Sequence, residues 1–328
     1  MVQIKDVAKQ AGVSVASVSR VLAGLPVVSE PTRQRVLEAV KALNYRPDLA
    51  ARRLRSRRSD TIGLVVSDIR NSFFTDISRA VEDVAFSHQM SVILCNTDED
   101  AEREMSCMDL MRDERVSGVI LSPSLRLLAR FSPESYGFPV VLVDRFERGI
   151  AADAVVLDNH DAAYRLTEHL IGNGHQDMVF IYGAESATGR QRLEGHRAAM
   201  AAHGLPVQVE GVKPMAYPAR EAAAAVLERS PRPQAVIASS GLILLGVTEA
   251  LREARLSMPG DIAVAGFDNM PWTKLVEPGI TVIAQPTYDI GREAAELLLQ
   301  RLGTPDKVTR QLVLRGELLV RGSTSPRP

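Results

Sequence analysis

The chain has 328 residues, enough for about two domains at roughly 100–200 residues each. Apolar residues make up 45% and charged residues 24%, which excludes a disordered chain, a collagen and a coiled-coil rod. The net charge of -1 hides an asymmetry: residues 1–60 hold twelve Lys/Arg against five Asp/Glu (+7), and the remainder 27 against 35 (-8).

A basic head on an acidic body points to a nucleic-acid or anionic-surface module joined to a second function. The opening Met1-Val2-Gln3-Ile4-Lys5-Asp6 lacks the apolar core of a secretory signal, so a cytoplasmic protein is expected. Ile4, Val7, Ala8 and Ala11 form one stripe of a short helix, with Asp6 in its first turn favourable to the helix dipole. Gly12 breaks this helix, and Ser14 is a suitable N-cap for a second one through Leu22. Val18, Val21 and Leu22 can face the first helix, while Val15, Ala16, Ser17, Ser19 and Arg20 lie at the start or on the outer side. Two short helices joined by a Gly-containing turn make a helix-turn-helix unit. A third helix, capped by Ser29 with Pro31 in its first turn, runs to about Leu43 with Val36, Leu37, Val40 and Leu43 inward.

Small residues at the exposed start of the second helix let its backbone enter a major groove about 12 Å wide. Beyond Pro47 lies a basic helix candidate, Asp48-Leu49-Ala50-Ala51-Arg52-Arg53-Leu54-Arg55-Ser56-Arg57-Arg58. A solvated linker has no need of Leu54 among arginines, whereas a minor-groove binder uses such an apolar wedge to unstack a base step.

These residues carry a resemblance. Ile4-Lys5-Asp6-Val7-Ala8 and Ala11-Gly12-Val13-Ser14-Val15-Ala16-Ser17-Val18-Ser19-Arg20-Val21-Leu22 resemble the signature of lactose-repressor-type (LacI/GalR) transcription regulators. Val28-Ser29-Glu30-Pro31-Thr32-Arg33 and Leu43-Asn44-Tyr45-Arg46-Pro47 continue it without a gap. The resemblance implies that the second helix reads the major groove, with Val15 and Ala16 setting operator preference and Arg20 contacting a base. Ser14, Ser17, Ser19 and Tyr45 belong to the same implied DNA-binding set. Leu54 matches the hinge leucine that wedges into a central CG step of a palindromic operator, with Arg55 beside it on phosphates. Val15 and Ala16 are apolar, so their readout is contact with thymine methyl groups, whereas Arg20 suits a bidentate pairing with guanine.

From Thr61 onward, short β-branched runs alternate with helical stretches, at 62–66, 92–95, 119–121, 140–143, 155–157, 179–182, 235–238, 262–265 and 282–284. Apolar runs without polar alternation are what strands buried on both faces of a parallel sheet require. Nine exceed one comfortable open sheet, so two smaller α/β subdomains are expected. Most runs end in polar residues, among them Asp144-Arg145, Ser239-Ser240, Asp268-Asn269 and Gln285. Ligands bind beyond the carboxyl ends of parallel strands, so two such sheets facing each other make a polar cleft for a sugar or similar metabolite. Phe73, Phe74 and Trp272 are its candidate aromatic residues. Cys95 and Cys107, the only cysteines, are read as ordinary core residues.

The resemblance continues here. Thr61-Ile62-Gly63-Leu64-Val65, Asp68-Ile69-Arg70-Asn71-Ser72-Phe73-Phe74, Cys95-Asn96-Thr97-Asp98-Glu99-Asp100, Val143-Asp144-Arg145, Arg192-Leu193-Glu194-Gly195, Gly266-Phe267-Asp268-Asn269 and Ala284-Gln285-Pro286 resemble the regulator core, itself similar to periplasmic sugar-binding proteins. It implies effector contacts from Phe73, Phe74, Asp144, Arg145, Ser186, Thr188, Arg192, Ser240 and Asp268. Where the family usually shows Asn-Asp, this chain has Ser239-Ser240-Gly241; a shorter hydroxyl leaves room for a sugar acid or other modified sugar.

The expected architecture is an all-α helix-turn-helix head at 1–46, a hinge helix and linker at 47–60, and a core at 61–328. That core holds two Rossmann-like parallel-sheet subdomains, about 61–158 with 287–313 and about 159–286 with 314–328. No cofactor and no metal are expected, and the partners are operator DNA, a small effector and a second copy of the chain, with no membrane. Pro328 ends the chain without a leucine heptad, so a dimer is expected in place of a tetramer.

An enzyme finds little support: Gly172-Asn173-Gly174 precedes a strand and lacks the third glycine of a dinucleotide loop, and the six histidines show no metal spacing. A periplasmic-type sugar-binding protein without a transcriptional role shares the cleft but has no use for residues 1–58.

Overall fold

The computed structural model describes residues 2–22, 27–45, 59–147 and 149–326. The chain divides into two compact units, Met1–Ser59 and Asp60–Pro328.

In the first unit, α1 (Ile4–Ala11) ends at Gly12, whose left-handed φ of 62° suits a residue without a side chain. The Asp6 carboxylate accepts the backbone N–H of Gln3 at 2.8 Å, closing the first turn. α2 (Val15–Leu22) and α3 (Glu30–Ala42) complete a three-helix core around Val7, Val18, Val21, Val36 and Ala39. Ser29 stands at the N-cap of α3, but its hydroxyl donates to Thr32 and caps no backbone N–H. Leu37 corrects the expected inward face: it is 50% exposed, because Val36, Ala39, Val40 and Leu43 already fill the buried stripe. The hinge-helix candidate at 48–58 lies outside the described residues.

The second unit holds two six-stranded sheets. The first contains β1 (Thr61–Val66), β2 (Ser91–Asn96), β3 (Val119–Leu121), β4 (Val140–Val143), β5 (Asp153–Leu157) and β11 (Gln311–Leu314), in the order β11-β5-β4-β3-β1-β2. The second contains β6 (Met178–Gly183), β7 (Gln208–Val212), β8 (Ala235–Ala238), β9 (Ala263–Phe267), β10 (Thr281–Ala284) and β12 (Glu317–Leu319), in the order β12-β10-β9-β8-β6-β7. The two orders match strand for strand, and only the outermost strands β11 and β12 differ, in direction. All ladders are parallel except β10 with β12.

Three strands beyond the nine expected ones, β7, β11 and β12, are edge strands. One side of each lacks a neighbour, so their sequences keep polar residues such as Gln208, Glu210, Gln311 and Glu317 in place of continuous apolar runs. Helices cover both sheets: α4 (Ser72–Ser87), α5 (Ala101–Asp113) and α11 (Thr287–Gly303) with the first, α7 (Asn159–Gly172), α8 (Ala187–Ala202), α9 (Ala216–Leu227) and α10 (Gly241–Glu253) with the second. The remaining helix, α6 (Leu125–Leu128), is a single turn after β3. Close approach of α8 to α7 depends on Gly195, where a Cβ would collide with the His160 carbonyl oxygen. Cys95 and Cys107 are half-buried against the first sheet's core, where burial pushes the Cys107 thiol up to about 11. The chain passes between the sheets three times: after β5, after β10 and between β11 and β12.

Candidate nucleic-acid interface and effector cleft

At the start of α2, the Ser14 hydroxyl oxygen accepts the Ser17 backbone N–H at 3.1 Å and lies 3.0 Å from the Ser17 hydroxyl. This pins the helix N-terminus, the end that enters a groove in helix-turn-helix proteins. Ser14, Ala16 and Arg20 are exposed; Val15, Ser17 and Ser19 are half-exposed, Val15 also packing on the head's core. Tyr45, half-buried, packs on the same core and donates its backbone N–H to the Val40 carbonyl at 2.9 Å. Leu54 and Arg55 lie outside the described residues.

In the second unit, a cavity of about 610 Å³ opens at the carboxyl ends of the strands. Its lining follows from the topology: residues after β1, β2, β3 and β4 form one wall, and residues after β6, β7, β8, β9 and β10 the other. All nine sequence-expected effector residues line it: Phe73, Phe74, Asp144, Arg145, Ser186, Thr188, Arg192, Ser240 and Asp268. Trp272 does not: it packs on the core of the second sheet, and Phe73 and Phe74, edge to face at 5.0 Å, supply the aromatic surface.

Two helix N-termini sit on the second wall. Ser186 caps α8, accepting the Gly189 N–H at 3.2 Å, and Ser240 caps α10, accepting the Ile243 N–H at 3.4 Å. Gly189 is needed for this approach, since a Cβ there would lie 2.6 Å from the Gly183 carbonyl oxygen. Asp268 reinforces the start of α10: one carboxylate oxygen accepts the Gly241 N–H at 2.7 Å and the other the Gln285 amide at 2.6 Å.

Arg192 crosses the floor of the cleft almost fully buried. Nε donates to Asn159 Oδ1 at 2.7 Å, Nη1 donates to the Ser239 carbonyl at 2.6 Å, and the guanidinium lies over the Phe267 ring at 4.1 Å. Nη2 donates no hydrogen bond among the described residues. Burial lowers the Arg192 pKa against the opposing pull of Asp268 and Asp144. Asp144 responds the other way: burial raises its carboxyl pKa, opposed by Arg145 and Arg192. Asp144 follows β4 and Asp268 follows β9, equivalent places in the two sheets, and both adopt left-handed φ, 67° and 73°. Asp tolerates that region because its short side chain can bond locally, so the same turn aims a carboxylate inward from each wall.

Arg145, 6% exposed, is already engaged. Nη1 donates to Glu99 Oε2 at 2.6 Å and to the Pro123 carbonyl at 3.1 Å, Nη2 donates to Glu99 Oε1, and Nε lies 3.1 Å from Asp144. Burial opposes the Arg145 charge, but Glu99 and Asp144 outweigh it and hold the pKa above its ordinary value. Beneath, fully buried Glu104 accepts both the backbone N–H and the hydroxyl of Ser124, fixing the loop that carries the Pro123 carbonyl. Burial raises the Glu104 pKa despite these bonds. Glu99, Glu104 and Asn159 were not among the sequence-expected site residues. Their partners stand 46, 20 and 33 positions away, so no local pattern pairs them, although Glu99 lies in the stretch Cys95-Asn96-Thr97-Asp98-Glu99-Asp100 that resembles the family. Among the described residues there is no cluster of three or more His, Cys, Asp or Glu able to hold a metal ion.

Residues 3–48 match the family of bacterial regulatory proteins, lacI family, and residues 167–324 match the periplasmic binding protein-like domain. The HTH-type transcriptional regulator RegA of Clostridium saccharobutylicum is 34% identical over 98% of this chain and 98% of its own. The chain belongs to the LacI family. Its members are DNA-binding transcription regulators, not enzymes. The lac repressor dimer bound to operator and the anti-inducer ONPF superposes with a TM-score of 0.89 at 25% identity, covering 99% of both chains. The complex of the transcriptional regulator CelR with cellobiose superposes with a TM-score of 0.72 at 29% identity, covering 98% of this chain and 100% of that one. For this LacI-family chain, residues 3–48 carry the family's helix-turn-helix, which gives no support to a binding protein without a transcriptional role. No helix among the described residues is long and apolar enough to cross a membrane.

Proposed function

We propose that this chain is a cytoplasmic, homodimeric transcriptional repressor that binds a palindromic operator, its DNA affinity set by a sugar or sugar acid in the cleft. The observation that carries the reading is the pairing, on one chain, of a head that exposes Ser14 and Ala16 at the start of α2 and Arg20 in its last turn with a polar cleft built around Arg192, Asp144 and Asp268. The head at 1–46 supplies the salt-dependent attraction to phosphate and the base readout, and the stretch at 47–60 links it to the sensor. Arg20 pairs with guanine, Val15 and Ala16 meet thymine methyl groups, and Leu54 wedges into the central step. A palindromic site needs two heads on a two-fold axis, which a dimer provides.

In the core, 61–158 with 287–313 and 159–286 with 314–328 act as two jaws. A hydroxyl between them accepts from Arg192 Nη2 and donates to a carboxylate, so ligand binding draws the walls together. Closure alters the spacing of the two heads in the dimer, a coupling expected to carry about 1–3 kcal/mol.

Selection of bound sequences from random double-stranded DNA with the full chain tests the reading. A palindrome bound with steep salt dependence is expected; binding that is equal on all sequences would overturn it.

A further inference from the structure

We propose that Glu99 sets the charge class of the effector: by occupying the guanidinium fork of Arg145 it closes one wall of the cleft to anions and reserves the site for a neutral polyol. The inference rests on the cleft being the effector site and narrows what that site accepts.

A buried arginine at the end of a parallel strand is the natural partner of a ligand carboxylate or phosphate, because its planar fork matches two oxygens at once. Here that fork is filled from within. Both Nη atoms of Arg145 donate to the two oxygens of Glu99, Nη1 also reaches the Pro123 carbonyl, and Nε faces Asp144. An incoming anion would have to displace an internal carboxylate that is already in place.

The loop that delivers Glu99 is built for the purpose. Asp98 and Glu99, between β2 and α5, are consecutive non-glycine residues with left-handed φ of 52° and 59°. Such a pair is held only when its surroundings over-determine it. The Asp98 carboxylate supplies that restraint: it accepts from Asn96 Nδ2 at 2.9 Å, from Arg70 at 3.4 Å and from Arg103. Asp100 then caps α5 through the Glu102 and Arg103 N–H groups, both at 2.9 Å. Glu99 is therefore fixed between two anchored aspartates.

Charge points the same way. Around the buried Arg145 and Arg192 stand three carboxylates, Asp144, Asp268 and the more exposed Glu99, so both arginines have internal counter-charges before any ligand enters. The other cations of the lining, Arg70, Arg126, Arg190 and Lys213, are exposed at the mouth, where water screens them. Arg192 Nη2 and the Asp144 carboxylate remain for the ligand, a donor and an acceptor that hydroxyl groups satisfy together and a carboxylate cannot.

Isothermal titration of the full chain with glucose and glucuronate, galactose and galacturonate, and ribose and ribonate tests this. Glu99→Gln removes the charge with little change in shape, and thermal melting checks that it folds. The variant is expected to bind at least one acid tenfold or more tighter than the wild type, with the gain lost in Glu99→Gln/Arg145→Met. Equal acid binding by wild type and Glu99→Gln, including none by either, overturns the proposal. So does a wild type that prefers an acid to its neutral partner. Whether a bound sugar changes operator affinity is a separate readout, so the regulatory reading and the role of Glu99 can fail independently.

Discussion

Arg192 has two of its donors fixed by Asn159 and the Ser239 carbonyl, and Asp268 has both oxygens fixed by Gly241 and Gln285. Side chains locked in this way meet a ligand at little entropic cost, so truncation removes a prepared contact. Arg192→Ala and Asp268→Ala should each weaken ligand binding about 100-fold, close to 3 kcal/mol, while operator binding persists. Titration calorimetry and a mobility-shift assay on the same preparations check both halves, and lost DNA binding would indicate misfolding instead. His196 offers an independent residue-scale test. It is fully buried, stacks on Phe180 at 4.8 Å and meets the Thr167 hydroxyl at 3.0 Å, and burial lowers its pKa to about 4. Because the folded pKa lies below the unfolded one near 6.5, its contribution is intact above pH 6.5 and is lost as pH falls toward about 4. Denaturant unfolding at pH 7.5 and at pH 4.5 should show roughly 2–3 kcal/mol less acid loss in His196→Gln than in the wild type.

At the scale of elements, what the sequence made legible depended on burial. Strands flanked on both sides are continuous apolar runs, so β1, β3, β4, β8 and β10 could be read directly. Edge strands β7, β11 and β12 could not, because polar residues break their apolar runs, whereas β2, an edge strand too, keeps the apolar run at 92–95 and could be read. Leu37 misled for a related reason: periodicity marks a stripe but not which of its borders a neighbouring helix covers, and Ala39 fills the place. In the cleft, the turns after strands were legible as polar punctuation, which brought out Asp144, Ser240 and Asp268. Asn159, which holds Arg192, and Glu104, which holds Ser124, act across the tertiary structure and leave no trace in spacing; Glu99 lies in a stretch that resembles the family, but nothing local shows that its partner is Arg145. The wedge at Leu54 belongs to this scale too. Leu54→Ala should weaken specific operator binding at least tenfold while sparing the salt-driven non-specific part, measured by competition with random-sequence DNA. Equal losses on both DNAs would contradict the wedge.

At the scale of the whole molecule, five parallel strands of each sheet repeat one topology, and the ends of the equivalent strands β4 and β9 deliver Asp144 and Asp268 to one cavity. Three crossings of the chain between the sheets, and no more among the described residues, leave the two halves able to move as units. The separation of charge completes the design: a +7 head seeks phosphate and a -8 body does not. Near-neutrality is the sum of two tasks. The account stands on those tasks being linked, and linkage is measurable. Fluorescence anisotropy of the full chain on its selected operator, without and with a saturating sugar that binds the cleft, reads it directly. A change in operator affinity of about 5- to 150-fold, absent in Asp268→Ala, is the predicted result. An operator affinity unmoved by a fully occupied cleft would contradict the account.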